Sequence, residues 1–371
     1  MGVNLEAKVL SEKDIGTWND LVDTSPWGDI LQYWQWGEAK RGEGWTPYRI
    51  AVFEGDKIIS GAQCLVKKAS FLGSYMYVPH GPVFTDKAQL KRSLGVLREK
   101  LIEVATDLGC FVIEIEPKTG LHVDDNSITE NLKPFIDEEI FEVFKGAGFK
   151  LTGRNMQPKY KLLYDLKLSD DELLALMKKN TRYNVRLAKK KGVVINEYLP
   201  DDPRLEDKLR EFYALLKLMQ KRAKGYPVRP YESFVNLFKN FRGTENIALF
   251  EALYDDDVIT MNISERTDKW SSSFYAGSNR LHSNVKAAYL LRWESVKKAK
   301  SFGSNIYDFW GIIPGSDQHK GYSDTKLSFG GTRIDHVGIL ALPLDRFEFM
   351  IWDKILPVRT KLFSIFRSLK P

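Results

Sequence analysis

The chain has 371 residues, 43% of them hydrophobic and 28% charged, and this length predicts two domains, each large enough to bury a core. That balance excludes a disordered chain, a collagen-like repeat and a disulfide-stapled miniprotein. Lysine and arginine number 55 against 49 aspartates and glutamates, a net charge of +6; where the excess clusters matters more than its size. Cys64 and Cys110 lie in apolar strand-like runs and read as small buried hydrophobes, which fits a reducing compartment. No apolar run reaches the roughly 18–20 residues of a membrane-spanning helix, and no basic-then-apolar signal region opens the chain, so a cytoplasmic location is expected.

In chain order, Asp14 to Val22 is predicted helical, and Asp29 is placed to cap a second helix carrying Ile30, Leu31, Tyr33, Trp34 and Trp36. Tyr48 to Phe53 alternates, Glu54-Gly55-Asp56 turns, and Lys57 to Val66 returns as a hairpin. A strand at Ser74 to Val78 leads to the loop His80-Gly81-Pro82. A helix from Lys87 to Leu108 stops at Gly109, and the strand Cys110 to Glu116 ends at Pro117. The series returns later: strands Ile247 to Tyr254 and Val258 to Glu265 about an acidic turn, a strand Trp270 to Tyr275, and a loop Ala276 to Asn284. A helix Val285 to Phe302 and a strand Asn305 to Trp310 complete it.

Two copies of hairpin, strand, loop, helix, strand predict two tandem α/β (α+β) domains with mixed sheets, each with a helical crossover between its last two strands. The expected boundaries are 1–165 for the first domain, completed by 340–371, and 166–339 for the second. This order of elements resembles the GNAT (acyl-CoA N-acyltransferase-like) fold, in which the strands flanking the crossover helix splay to leave a substrate cleft. The acetyl-CoA loop of that fold is missing before both Lys87 and Val285. Gln318-His319-Lys320-Gly321-Tyr322-Ser323 comes nearest to it but follows the second crossover unit. A donor other than coenzyme A is expected.

Ser169 and Glu172 form a capping box ahead of Leu173 and Leu174. The stretch from Lys178 to Lys191 then contains no acid, and Val185, Leu187 and Ala188 give it one apolar strip, so its basic residues line an exposed face. Such clustering suits phosphates, whose counterions are released on contact. The end of the chain, Asp345 to Pro371, mixes apolar and basic residues, with a break expected at Pro357; it suits packing on the first domain or rest on an anionic bilayer.

Six separated stretches together resemble the FemABX family of peptidyltransferases. They are Gly28 to Lys40 leading to Gly44-Trp45; Tyr77 to Val83; Lys179 to Arg186 with Ala188 and Gly192; Met219, Arg222 and Tyr226; Phe274 to Ser278; and Gly321 to Gly331. The resemblance implies aminoacyl-tRNA-dependent addition of an amino acid to the stem peptide of a peptidoglycan precursor, a UDP-linked muramyl pentapeptide or lipid II, in interpeptide bridge formation. Larger members carry a coiled-coil arm; Leu199 to Tyr226 holds one helix-length pattern without sustained heptads, so the chain resembles the compact, FemX-like members.

By this resemblance Lys40, Arg222, Tyr226 and Tyr275 bind the diphosphate-bearing acceptor, and Lys178, Lys179, Arg182, Arg186 and Lys189 contact tRNA. Lys326 stands at the tRNA acceptor end, beside the developing oxyanion. Thr325 replaces an aromatic residue common before that lysine, and Phe329 is the nearest substitute for stacking on the terminal adenosine. Glu116 is the candidate acid–base residue. His80, His122, His282, His319 and His336 show no ligand spacing, so neither metal nor other cofactor is expected. A monomer is expected, working at or near the inner face of the plasma membrane. Two other classes fit parts of the chain: an acyltransferase of this fold with a thioester donor, and a non-catalytic RNA-binding or membrane-surface protein.

Overall fold

The computed structural model describes residues 4–69, 71–122, 128–222, 227–315 and 320–355. Among these residues are two mixed sheets of eight strands each. In the first, Leu5–Val9, Thr46–Glu54, Lys57–Lys68 and Ser74–Pro79 run antiparallel to one another, and Cys110–Glu116 joins parallel to Ser74–Pro79. Leu340–Pro343 and Lys150–Leu151 continue that sheet, and Val83–Phe84 pairs beside it with Lys57–Lys68. The second runs Val194–Tyr198, Ile247–Tyr254, Asp257–Arg266, Trp270–Ser278, Ile306–Asp308, Tyr160–Asp165, Thr332–His336 and Gly120–His122. Two strands from the first part of the chain, Gly120–His122 and Tyr160–Asp165, thus lie in the second sheet, and Leu340–Pro343 lies in the first beside Cys110–Glu116.

Each parallel pair is joined by a helix, Lys87–Asp107 in the first unit and Ala287–Phe302 in the second. Asp86 caps the former by accepting from the Gln89 amide, and Gly303, at φ 109°, closes the latter, where a β-carbon would be strained. The pairs differ at their ends. Ser74–Pro79 stays paired through Pro79 and Glu116, whereas pairing in the second unit stops at Ser272 and Asp308 while its strand runs on to Ser278. The splaying expected of the fold is therefore found in the second sheet alone among the described residues. Trp310, at φ 62°, fills the fork by packing on Phe274 at 4.4 Å between ring centroids.

A single buried cluster contains Ile113 and Ile115 of the first sheet with Leu163, Trp270 and Ile306 of the second, so the two units share a core. Truncating a residue of that size in such a core costs about 2–5 kcal/mol. Cys64 and Cys110 are buried free thiols; burial pushes Cys110 up to about 11 and Cys64 higher still. No helix of the described residues is long and apolar enough to cross a membrane.

Three local readings change. Asp29 caps a single turn at Ile30–Gln32 through the Leu31 amide, and the Trp-rich helix starts afresh at Trp34–Arg41. The capping box at Ser169 and Glu172 opens a short helix, Asp170–Leu176, which breaks at Met177 before the basic helix Lys179–Lys190. The last crossover strand is only Ile306–Asp308, because Trp310 leaves the β conformation. The expected break at Pro357 lies outside the described residues.

Candidate active site

Lys40 ends the helix Trp34–Arg41 and is only 7% exposed. Its Nζ lies 4.3 Å from the centre of the Trp36 ring and 2.8 Å from Glu43 Oε1. Burial and the neighbouring Arg229 push it down to about 8, against the pull of Glu43. Glu43 also pairs with Arg229, and Arg229 reaches Tyr275 on the splayed strand. Tyr275 stacks on Phe274, which itself packs against Trp36 at 5.2 Å. Arg222 ends the helix Leu205–Arg222 and donates to the Ser278 carbonyl, three residues beyond Tyr275. Lys40, Arg222 and Tyr275 are thus linked by one run of contacts along this strand. Tyr226 lies outside the described residues.

Glu116 ends the first crossover strand, 3% exposed. It accepts from the Tyr77 hydroxyl at 2.5 Å and from the Met156 and Gln157 amides at 3.1 Å. Burial nevertheless pushes it up to about 7, a value from which a carboxylate takes and returns protons at neutral pH.

Lys326 lies in the helix Lys320–Leu327, 2% exposed, and donates to the Gly311 carbonyl at 2.9 Å and to the Tyr322 hydroxyl. Burial, then the Arg292 guanidinium and Lys161, hold its ammonium well below the ordinary lysine range, with Asp308 acting the other way. Two bonds tie its neighbourhood to the start of the basic helix: Lys178 N donates to Ser328 O at 2.9 Å, and Thr181 Oγ1 to Ser328 Oγ at 2.8 Å. Gly330, at φ 75°, lets this loop approach; a β-carbon there would stand 2.1 Å from the Leu176 carbonyl oxygen.

On the basic helix Lys178, Lys179, Arg186 and Lys189 are exposed. Arg182 is not; its guanidinium donates to the carbonyls of Leu174, Ala175 and Met177 and so finishes the preceding helix. Phe329 corrects an expectation: it is fully buried against Tyr289 and Phe309, where no adenosine can reach it. Tyr322, 44% exposed and one helical turn before Lys326, is the accessible ring there.

Between the two carboxylate-ending crossover strands lies a buried ionic network that the sequence reading did not identify. Asp29 Oδ2 is 2.5 Å from Lys118 Nζ and 3.0 Å from His80 Nδ1, and Lys161 Nζ is 2.8 Å from Asp308 Oδ2. Lys118 sits over Trp270 at 3.2 Å and Lys161 over Trp310 at 4.4 Å. Lys161 acts on Glu116, Lys326, Asp29 and Lys118 alike. The available signal was a lysine opening the otherwise apolar stretch Lys161-Leu162-Leu163-Tyr164. A separate hollow of about 590 Å³, lined by Trp27, Phe84, Lys87, Phe135 and Lys269, touches none of these charged residues and reaches Asn305 and Ile306 at the beginning of the last crossover strand. Among the described residues no three His, Cys, Asp or Glu side chains cluster as metal ligands do.

The sheets, crossovers and forked second strand pair define a tandem GNAT-fold chain. Solved structures agree: the crystal structure of FemX superposes with a TM-score of 0.78 at 18% identity over 94% of this chain and 100% of that one. A tandem GNAT protein from the clavulanic acid biosynthesis pathway superposes at 0.54 and 11% identity over 92% of this chain and 98% of that one. The FemAB family model matches residues 11–256 and 254–354, and the chain belongs to the FemAB family. A lipid II:glycine glycyltransferase of Staphylococcus aureus is 26% identical over 274 residues, which cover 73% of this chain and 58% of that protein.

Proposed function

We propose that this chain is an aminoacyltransferase that takes an amino acid from aminoacyl-tRNA and adds it to the stem peptide of a peptidoglycan precursor, building the interpeptide bridge. The observation that carries the reading is the bonding of the basic helix to Ser328, just past the Lys326 helix, with an exposed basic surface on one and a buried amine on the other. Family membership and the name of the staphylococcal relative support the chemistry.

Lys40, Arg222 and Arg229 grip the diphosphate of the acceptor, and Tyr275 lines its path. The stem-peptide amine attacks the ester carbonyl of the charged tRNA. An N–C bond forms, the C–O bond to the ribose breaks, the amine proton passes to Glu116, and Glu116 returns that proton to the ribose oxygen as it leaves. Lys326 faces the oxyanion and donates a hydrogen bond to it as negative charge develops. Tyr322 stacks on the terminal adenosine. The substrate is met at the inner face of the plasma membrane, where the exposed Phe347, Met350 and Ile355 near the C-terminal end give an apolar contact.

Transfer of radiolabelled amino acid from charged tRNA to UDP-linked or lipid-linked precursor tests this. Lys326→Ala is expected to lower turnover about 100-fold with little change in tRNA affinity. Transfer from acetyl-CoA without tRNA contradicts the reading.

A further inference from the structure

Asp308 uses both carboxylate oxygens. Oδ2 lies 2.8 Å from Lys161 Nζ, and Oδ1 accepts from the Trp310 amide at 2.7 Å. That second bond pins the turn in which Trp310 adopts φ 62°, a conformation unusual for a bulky residue. The next residue, Gly311, offers its carbonyl to Lys326 Nζ at 2.9 Å. Lys161 and Asp308 are each fully buried, and no hydrogen-bonding partner satisfies Lys161 Nζ beyond its ion pair. Burying such a pair needs a compensating reason, since apolar residues fill the space as well.

The strand order sharpens the point. Lys161 stands on Tyr160–Asp165, which is hydrogen-bonded to Ile306–Asp308 on one side and to Thr332–His336 on the other. It is thus held by backbone pairing and does not depend on a loop. The charged and titratable groups acting on Lys326 are Arg292 from the crossover helix, Asp308 from its strand and Lys161 from its own; the Tyr322 hydroxyl on the same helix accepts a hydrogen bond from it.

We propose that the Lys161–Asp308 pair is a positioning device for Lys326: Asp308 fixes the turn whose Gly311 carbonyl holds the amine, and Lys161 holds Asp308. Lys161 and Asp308 are positioning residues, acting through Lys326. The assignment rests on the transfer reading for its kinetic consequence, though not for its electrostatic one.

The electrostatic part is tested in the purified protein by competitive labelling with acetic anhydride across pH, with acetylation of the Lys326 peptide followed by mass spectrometry. Asp308→Asn removes the carboxylate that favours the ammonium, so the labelling midpoint moves to lower pH. Lys161→Met removes a like charge, so it moves to higher pH. Each shift is expected at about half a pH unit or more. A loosened fold would move both in the same direction. Coincident or absent shifts overturn the proposal.

The kinetic part uses Asp308→Asn in the transfer assay: kcat falls about 10- to 100-fold while KM for each substrate stays within about twofold. Either single change strands a buried charge, so Lys161→Met combined with Asp308→Leu, which removes both charges and the turn's acceptor, serves where a single variant fails to fold. It is expected to show the same kcat loss, and a double variant with full kcat overturns the proposal. A wild-type protein that transfers nothing from aminoacyl-tRNA contradicts the functional reading, while the opposed labelling shifts still decide the electrostatic role of the pair.

Discussion

The Tyr77 hydroxyl donates to Glu116 Oε2 at 2.5 Å, across the parallel strands that bracket the first crossover helix. This bond favours the carboxylate, and burial opposes it to leave Glu116 near 7. Tyr77→Phe should therefore raise the Glu116 value, and the acidic limb of the kcat/KM profile should move to higher pH. Glu116→Gln should lower kcat about 100-fold and remove that limb. A pH–rate series on the three proteins checks both.

On the proposed role of Lys40, its titration sets the opposite limb. Because burial and Arg229 bring it down to about 8, the proposed grip on an anion should weaken above that pH. Glu43 is the group holding it up, so Glu43→Gln should move the alkaline limb to lower pH. Lys40→Met should raise KM for the precursor at least tenfold with kcat within about threefold. Titration of the precursor at several pH values provides the measurement.

The proposed tRNA surface of the basic helix is tested at the exposed residues apart from Arg182. Arg186→Glu and Lys189→Glu should weaken tRNA binding and flatten its salt dependence, each by about one ion in slope. Arg182→Glu acts elsewhere: its guanidinium satisfies the carbonyls of Leu174, Ala175 and Met177, so its loss should cost about 1–2 kcal/mol of stability. Filter binding at several salt concentrations, with thermal melts alongside, distinguishes them.

Lys118→Met should be the most destabilising of the charge changes, at about 3–5 kcal/mol, because it leaves Asp29 buried without its ammonium. Burial alone would raise Asp29, but Lys118 and His80 overcome it and hold the carboxyl well below its usual range. Asp29 therefore stabilises the fold above its unfolded value, and that contribution is lost as pH falls through the folded one. Urea titrations of wild type and variant at neutral and acid pH measure both effects.

Much of this architecture was legible because local signals agreed with tertiary packing. The strand Cys110–Glu116 lies where its apolar run and flanking Gly109 and Pro117 put it, and the hairpin turns where Gly55 allows positive φ. Lys40, Arg222 and Tyr275 came from family resemblance, and the contacts linking them run through Glu43 and Arg229, which no motif marked. Asp29 read as a helix cap because its amide partner is local; its second role depends on Lys118, 89 positions away. Phe329 lay close to Lys326 in sequence, yet the reversal at Gly330 turns it into the core. Short-range patterns specify the elements, whereas a buried ion pair such as Lys161 with Asp308 arises from which strands become neighbours.

The most direct measurement is mass analysis of UDP-linked and lipid-linked muramyl pentapeptide after incubation with the purified protein and a mixture of charged tRNAs. The expected result is a precursor heavier by one amino acid residue, formed only when aminoacyl-tRNA is present and lost with Lys326→Ala. An unmodified precursor in both forms, or a product that acetyl-CoA supplies equally well without tRNA, would contradict it.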